Sequence, residues 1–202
     1  MKVLLVDDHQ LIRDAMMHYI NSSTKMELVA AESIDDGLKK VKEHGGFSCV
    51  LADLRMPGVS GAFDLKPLVD ANSPNPTMLF SGAATYIDVY AARRAGVAGL
   101  VRKSMSAKQV VEIVATVVKN PDDLPHDVAF GSSLQRPTGV PSQLGDEDWV
   151  ILEMLARGAR NSEIAQALGV KRVRIENRLR KIYRYIGVPN RLGAANYVNG
   201  LV

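Results

Sequence analysis

At residues 3–8 the chain reads VLLVDD, a short apolar run that ends in two adjacent aspartates. Four more apolar runs follow, at residues 28–31 (LVAA), 49–52 (CVLA), 78–80 (MLF) and 99–101 (GLV). None of them alternates with polar residues, which is typical of strands that are covered on both faces. Amphipathic stretches of helical spacing separate the runs, near residues 10–21, 34–44, 61–71, 85–95 and 106–119. This alternation predicts a doubly wound parallel sheet, which is an α/β fold.

The composition is that of an ordinary globular protein. Of the 202 residues, 47% are hydrophobic and 23% are charged, which are usual values for such a protein. No apolar run approaches the ~20 residues that cross a membrane, so we expect no membrane partner. The single cysteine, Cys49, lies inside an apolar run and has no second thiol to pair with. A disulfide framework is therefore excluded, and we expect a cytoplasmic protein.

The chain changes character after about residue 120. Residues 121–143 contain four prolines together with glycines and serines, which is linker composition. From residue 144 onward, helical periodicity replaces the strand pattern. Residues 144–202 carry ten Lys and Arg against six Asp and Glu, and a basic segment suggests a polyanionic partner. We therefore expect an α/β domain over 1–120, a linker over 121–143 and a helical domain over 144–202.

Polar and charged side chains follow the predicted strands at the point where each strand ends. Asp7 and Asp8 follow the first strand, Asp53 the third, Ser81 the fourth and Lys103 the fifth. Ligands of doubly wound sheets bind at the carboxyl ends of the strands. In the flavodoxin-like order 2-1-3-4-5 the first and third strands are neighbours, so the three carboxylates would converge and need a compensating cation. Mg²⁺, which prefers oxygen ligands, meets this need.

The same side chains suit a phosphoryl group. A magnesium ion and the Lys103 ammonium would neutralise phosphoryl oxygens, and the Ser81 hydroxyl would donate to one of them. A carboxylate can attack phosphorus, since aspartyl phosphate is an established covalent intermediate, and positioning with charge neutralisation is most of phosphoryl-transfer catalysis. We expect a site that holds a phosphate reversibly, with no enzymatic turnover.

Residues 1–119 resemble the receiver domain of two-component response regulators. The resemblance is carried by Val6-Asp7-Asp8-His9, Asp53-Leu54-Arg55-Met56-Pro57-Gly58, Gly61, Ser81 and Lys103. It implies that Asp53 is the phosphoacceptor and that a sensor histidine kinase is a partner. The implied Mg²⁺ ligands are Asp7, Asp8, Asp53 and the backbone carbonyl of Arg55. Ser81 would be the hydroxyl switch, and Lys103 would be the cation that binds the phosphoryl group.

One position departs from the receiver pattern. Receivers usually carry an aromatic residue three positions before the lysine, whose rotation couples to the hydroxyl, and here that position is Leu100. The departure keeps open an alternative: a regulator of the same fold that needs no phosphorylation and responds to dimerisation or to a protein partner. A second alternative is a phosphohydrolase with a strand-end aspartate. Such enzymes carry an Asp-x-Asp motif directly after the first strand, and Asp7-Asp8-His9-Gln10 does not contain this motif.

The C-terminal part has the spacing of a helix-turn-helix. One helix is predicted over residues 146–157 and is stopped by Gly158. A second is predicted from Asn161 or Ser162 to Leu168, ended by Gly169, and a third over residues 171–186. Two short helices joined by a tight turn that contains glycine are typical of this motif.

The third of these helices has two different faces when its residues are placed at ~100° intervals. One stripe is apolar and is predicted to be buried: Ile175, Leu179, Ile182 and Ile186. The opposite side is basic, and we expect it to enter the major groove of DNA, where cations contact phosphates and an asparagine can pair with adenine. The expected DNA-binding residues are Lys171, Arg172, Arg174, Glu176, Asn177, Arg178, Arg180, Lys181 and Arg184.

Residues 144–202 resemble the LuxR/FixJ (NarL) type of helix-turn-helix domain. The matching residues are Leu144, Leu152, Gly158, Asn161-Ser162-Glu163-Ile164-Ala165, Leu168-Gly169-Val170, Asn177, Leu179, Ile182-Tyr183, Gly187-Val188 and Arg191. The resemblance implies a recognition helix from about Lys171 and a dimer contact in the last helix, residues 190–200. A common lysine position is Glu176 here, which predicts an altered site preference, because Glu can accept from cytosine N4. The chain is thus predicted to be a homodimeric, DNA-binding transcription regulator that is controlled through Asp53.

Overall fold

A computed structural model describes residues 1–130 and 140–201. Five parallel strands form one sheet in the order β2-β1-β3-β4-β5, which confirms the predicted flavodoxin-like fold. The strands are β1 (Lys2–Val6), β2 (Glu27–Ala31), β3 (Cys49–Asp53), β4 (Thr77–Ser81) and β5 (Leu100–Arg102). In the register, Val3 lies opposite both Leu28 of β2 and Cys49 of β3. The carboxyl ends of β1 and β3 are therefore adjacent.

Helices cover both faces of this sheet. They are α1 (Gln10–Ser23), α2 (Ile34–His44), α3 (Lys66–Asn72), α4 (Tyr86–Ala95) and α5 (Ala107–Lys119). Side chains of a strand point alternately to opposite faces, and the buried residues of β1 accordingly divide between two hydrophobic clusters. Leu4 and Val6 belong to the cluster under α2, α3 and α4, and Val3 and Leu5 belong to the cluster under α1 and α5. The core is therefore a sheet between two helical layers.

The third helix of this domain differs from its prediction over residues 61–71. A 3-10 turn at Ala62–Leu65 comes first, and α3 begins only at Lys66. Pro67 lies in the first turn of α3, where its missing N–H costs no helical hydrogen bond and its fixed φ suits a helix start. The proline thus explains why one predicted helix is divided into a turn and a shorter helix.

Residues 121–130, which we call the strap, run back along the edge of the sheet after α5. The strap begins with a 3-10 turn at Pro121–Asp123. Three of its side chains are buried: Leu124, Val128 and Phe130. The N–H of Leu100 in β5 donates to the carbonyl of Val128 at 2.7 Å. Residues 131–139, the middle of the predicted linker, lie outside the described residues.

The C-terminal part contains four helices around a separate hydrophobic cluster. The helices are α6 (Asp146–Ala156), α7 (Asn161–Ala167), α8 (Arg172–Ile186) and α9 (Arg191–Asn199). Trp149 is buried in this cluster with Ile175, Leu179 and Ile182 of α8, so the predicted apolar stripe of this helix does face the core. Ile186 is partly buried against the same cluster.

The two halves of the chain contact each other through α4 and the 3-10 turn at Ala62–Leu65. Tyr86, Ile87 and Tyr90 of α4 pack against the hydrophobic cluster of the C-terminal helices. Phe63 of the 3-10 turn lies against Gly169, where a Cβ atom would come within 2.0 Å of the Phe63 ring. Across residues 1–130 and 140–201, no helix is both long enough and apolar enough to cross a lipid bilayer.

Candidate functional site

Four of the predicted site residues meet at the carboxyl edge of the sheet. Asp7 and Asp53 are buried at the ends of β1 and β3, and Asp8 is half-buried beside them. The Lys103 ammonium, one residue beyond β5, lies 2.7 Å from Asp7 Oδ2 and 2.8 Å from Asp53 Oδ2. A lysine side chain thus bridges two buried carboxylates that would otherwise repel each other.

The charge of Lys103 is stabilised by this bridge. Burial of the ammonium disfavours its charged form, but hydrogen bonds from Lys103 to Asp53 and Asp7, together with their negative charge, outweigh that effect and raise the pKa of Lys103. Lys103 is therefore a permanent cation at neutral pH. It can neutralise the carboxylates or an anion bound to them.

Ser81 lies at the end of β4, between β3 and β5 in the sheet. Its backbone carbonyl accepts from the Lys103 N–H at 3.0 Å. The Ser81 hydroxyl is buried and has no hydrogen-bond partner within the described part of the chain. A buried hydroxyl without a partner is costly, so this donor is available to a ligand that enters the pocket.

His9 is a further member of the pocket, which the sequence interpretation left out. Its Nδ1 atom lies 2.8 Å from Asp8 Oδ1, 3.0 Å from Asp7 Oδ1 and 3.9 Å from Asp53 Oδ2. Because His9 directly follows the two aspartates, its backbone N–H also donates to Asp7 Oδ1 at 2.9 Å. That adjacency in sequence was the available signal.

The donor set fits a hard divalent cation. One ligand atom each from Asp7, Asp8, His9 and Asp53 lies within 4.8 Å of the others. Asp8 Oδ1 is buried and makes no well-directed hydrogen bond with the described residues, although the His9 ring is in contact with it. Carboxylate oxygens that are grouped in this way are the ligands Mg²⁺ prefers.

Arg55, whose backbone carbonyl was an expected metal ligand, follows the end of β3 by two residues. Its guanidinium Nη2 lies 3.3 Å from Asp88 Oδ2 at the start of α4. The same Asp88 oxygen accepts from the Thr85 N–H at 2.9 Å and so caps α4. The loop that carries Arg55 is thus tied to the helix that contacts the C-terminal half.

The expected DNA-binding residues of α8 divide into two groups. Lys171, Asn177, Arg180, Lys181 and Arg184 form an exposed surface, to which the exposed side chain of Val173 also belongs. Within it, Arg180 Nη1 donates to Asn177 Oδ1 at 3.2 Å. This surface is basic and lies opposite the buried stripe of the helix, which is the geometry that major-groove recognition requires.

The other expected residues of α8 are paired within the protein, the three arginines with acidic side chains and Glu176 with one of these arginines. Arg178 makes two hydrogen bonds to the carboxylate of Asp148, a buried residue of α6, and these bonds raise the pKa of Arg178. Arg172 Nε pairs with Glu176 Oε1 at 2.7 Å, one helical turn away. The sequence predicts that all of these side chains contact DNA, and it gives no indication of their partners within the protein.

Glu147 of α6 joins the two halves of the chain. Its carboxylate lies 3.1 Å from Arg174 Nη2 of α8 and 3.3 Å from Arg94 Nη1 of α4. The Tyr90 hydroxyl of α4 donates to the same carboxylate at 3.5 Å. One acidic side chain therefore connects the receiver-like half to the first part of the basic helix.

Comparison with known protein families matches both halves. Residues 3–115 match the response regulator receiver domain, and residues 142–198 match the bacterial regulatory proteins of the luxR family. The glycerol metabolism activator of Pseudomonas putida is 25% identical over 207 residues, covering 96% of this chain and 92% of that protein. The probable transcriptional regulatory protein NarL of Mycobacterium tuberculosis is 27% identical over 199 residues, covering 96% of this chain and 91% of the relative.

Solved structures give the same result. The response regulator ChrA of a heme-sensing two-component system is 25% identical, with a TM-score of 0.51 over 100% of this chain and 98% of ChrA. The receiver domain of the putative response regulator NarL from Mycobacterium tuberculosis is 28% identical, with a TM-score of 0.53 over 59% of this chain and 96% of that domain. The chain therefore belongs to the response regulators of two-component systems, DNA-binding transcription regulators that join a receiver domain to a luxR-family domain.

Proposed function

We propose that Asp53 accepts a phosphoryl group from a sensor histidine kinase, and that this modification controls DNA binding. The observation that carries the proposal is the Lys103 ammonium, 2.8 Å from Asp53 Oδ2 and 2.7 Å from Asp7 Oδ2. A cation that already bridges the acceptor carboxylate and its neighbour can turn to the oxygens of a phosphoryl group on Asp53.

In the transfer, a carboxylate oxygen of Asp53 attacks phosphorus in a phosphohistidine or a small phosphodonor. An oxygen–phosphorus bond forms while the bond from phosphorus to the leaving nitrogen or oxygen breaks, and the leaving group keeps the electron pair. Lys103 and the Ser81 hydroxyl bind the phosphoryl oxygens. Asp7, Asp8, Asp53 and the backbone carbonyl of Arg55 would hold Mg²⁺, which would neutralise part of the negative charge when bound.

Intact-mass measurement tests the acceptor. After incubation with acetyl phosphate and Mg²⁺, the wild-type chain gains the mass of one phosphoryl group, and Asp53→Asn does not. The matched control is Asp70→Asn, which removes an exposed aspartate whose only ion pair with a described residue is to Lys66, across one helical turn. This variant is modified as the wild type is. An unshifted wild-type mass, or an equal shift in Asp53→Asn, would remove Asp53 from its role.

The proposed DNA contacts are on α8, at the residues expected from the sequence. Asn177, Arg180, Lys181 and Arg184 remain exposed while α6 is packed on α4, so contact with the receiver does not cover this surface. Control by dimerisation is therefore favoured over control by unmasking. Phosphorylation would shift the population towards the dimer. The two copies, related by twofold symmetry, would then occupy half-sites that are about one turn of the DNA helix apart.

Sedimentation of the phosphorylated chain tests this step. We expect the modified wild type to become dimeric at micromolar concentration and to gain operator affinity in parallel. Asp53→Asn stays monomeric under the same conditions. A modified chain that binds its operator more tightly while remaining a monomer would contradict control by dimerisation.

The proposed organisation is a receiver over 1–120, a linker over 121–143 and a DNA-binding domain over 144–202. We place the protein in the cytoplasm, where a sensor kinase presents its phosphohistidine, and assign it no enzymatic turnover. Sustained hydrolysis of a general phosphomonoester would instead support the phosphohydrolase alternative.

Leu100 favours a second candidate function, a regulator that works without phosphorylation. The residue fills the position where receivers usually carry the coupling aromatic side chain. This candidate predicts that Asp53→Asn leaves operator affinity unchanged in the presence of acetyl phosphate. The proposal above predicts that the same variant loses all of the gain in affinity.

A further inference from the structure

The strap reaches the part of the sheet where the receiver pattern is broken. Leu100 is the first residue of β5, an edge strand of only three residues. Its backbone N–H points away from β4 and donates to Val128 of the strap at 2.7 Å. The outer edge of β5 at Leu100 is therefore paired with the segment that leads to the DNA-binding domain.

Gly99 shows how closely the strap approaches β5. A Cβ atom at this position would lie 2.6 Å from the Val128 carbonyl oxygen and 3.4 Å from a methyl group of Leu124. Real Cβ atoms do not come this close to a backbone oxygen, so a side chain at residue 99 is incompatible with the attached strap. The sequence therefore contains a glycine where the strap requires one.

Phe130 provides an aromatic side chain in the cluster that contains Leu100. The side chain is 3% exposed and is buried together with Leu100, Val89 and Ala92. Its backbone has a φ of +65°, the only positive value among the described residues other than glycine. A bulky residue adopts this conformation rarely, and it persists where surrounding contacts enforce it.

Leu100 is connected to the phosphorylation pocket through β5. Lys103 is three residues further along, its N–H donates to the Ser81 carbonyl at 3.0 Å, and its ammonium bonds Asp53. A phosphoryl group that binds the side chains of Ser81 and Lys103 orders the ends of β4 and β5 together. Because β5 is short, that ordering extends to Leu100 and to the strap bonded to it.

We propose that Phe130 and the strap substitute for the aromatic side chain absent at Leu100, so that phosphorylation tightens the strap on β5 and is transmitted to the DNA-binding domain along the linker. This inference rests on the proposed phosphorylation of Asp53. It makes Phe130 a positioning residue that acts through β5. Thermodynamic linkage makes the effect reciprocal. If a phosphoryl mimic stabilises the attached strap, the attached strap must strengthen binding of the mimic by the same factor.

Amide hydrogen exchange of the full chain tests the inference, because the Leu100 N–H reports strap attachment directly. With beryllium fluoride and Mg²⁺ as the phosphoryl mimic, we expect the Leu100 amide of the wild type to exchange at least about fivefold more slowly than it does without the mimic. A factor of about five is the lower end of the usual range for coupling between two sites. Phe130→Leu, which keeps an apolar side chain but removes the ring, loses this protection and binds the mimic more weakly by a similar factor.

Phe47→Leu is the matched control, since Phe47 is a buried phenylalanine of the same cluster and lies just before the amino end of β3, the central strand of the sheet. It retains the response of the Leu100 amide, whereas a purely structural role of Phe130 predicts equal effects of the two substitutions.

In the unmodified protein, Gly99→Ala accelerates exchange at Leu100 by displacing the strap. The inference is overturned if Phe130→Leu and Phe47→Leu change the exchange of the Leu100 amide equally. It is also overturned if acetyl phosphate modifies the wild type but the phosphoryl mimic leaves exchange of the Leu100 amide unchanged or makes it faster. Wild type that acquires no phosphoryl mass refutes the proposed function itself, and the inference with it.

Discussion

Replacing Arg178 by methionine will destabilise the C-terminal domain through the buried carboxylate that it leaves behind. Asp148 is 0% exposed and accepts from Arg178 Nη2 at 2.8 Å and from the Gly145 N–H at 3.0 Å. Breaking a buried ion pair by removing one partner costs ~3–5 kcal/mol, because the remaining charge stays buried without compensation.

Two features reduce this value. The Arg178 side chain is 40% exposed, so water screens part of the interaction, and Asp148 keeps its bond to the Gly145 N–H. We therefore expect a loss of about 2–3 kcal/mol in the free energy of unfolding. With a urea slope of ~1 kcal/mol per molar for a small domain, the midpoint falls by about 2–3 M.

Trp149 gives the assay. It is the only tryptophan of the chain and is buried in the C-terminal cluster, so its fluorescence in urea follows unfolding of this domain and not of the receiver. Arg184→Met is the control on the same helix, because the only bond recorded for Arg184 among the described residues is a weak one to the Arg180 carbonyl. Adding Asp148→Asn to Arg178→Met should recover most of the loss. A midpoint shift below about 0.5 M in Arg178→Met would refute the reasoning.

Three further results are expected. Asn177→Ala and Arg180→Ala each weaken specific operator binding by ~1–3 kcal/mol in a titration, while Lys108→Ala on the receiver surface does not. Normal operator affinity of the variant that combines both α8 substitutions would count against DNA contact through the exposed face of α8. Lys103→Met increases Mg²⁺ affinity in a calorimetric titration, because the ammonium no longer competes for the two buried aspartates, and weaker Mg²⁺ binding would contradict that competition. Burial raises the pKa of the Cys49 thiol to about 12, so alkylation at pH 8 requires opening of the receiver; a rate that does not rise with urea would show that the thiol is accessible in the folded state.

The sheet and its acidic edge could be predicted from sequence because both follow from local rules. Buried parallel strands have continuous apolar runs, and side chains just after such strands must meet at one edge. Asp7, Asp53 and Lys103 needed only the strand order to be brought together, and that order is the observed one. The apolar stripe of α8 followed in the same way from the helical period.

Features that depend on packing between distant segments could not be predicted. Arg178 and Asp148 are 30 residues apart, and their contact depends on the angle at which α8 crosses α6. The strap has no side-chain pattern that indicates a bond from Leu100 to the Val128 carbonyl, since any residue can supply a backbone acceptor. The proline and glycine content identified the composition of residues 121–143 correctly, but it did not indicate that the first ten of these residues are attached to the receiver.

The contact between Phe63 and Gly169 limits how receivers and DNA-binding domains can be recombined. Gly169 has a φ of +61°, and a Cβ atom there would overlap the Phe63 ring at 2.0 Å. The aromatic ring and the glycine thus form a matched pair, although they belong to different domains. A chimera that joins this receiver to a relative's DNA-binding domain with a larger residue in the corresponding turn would force the Phe63 ring out of its present position. Hybrids that keep this contact between the two domains would need both positions to be exchanged together.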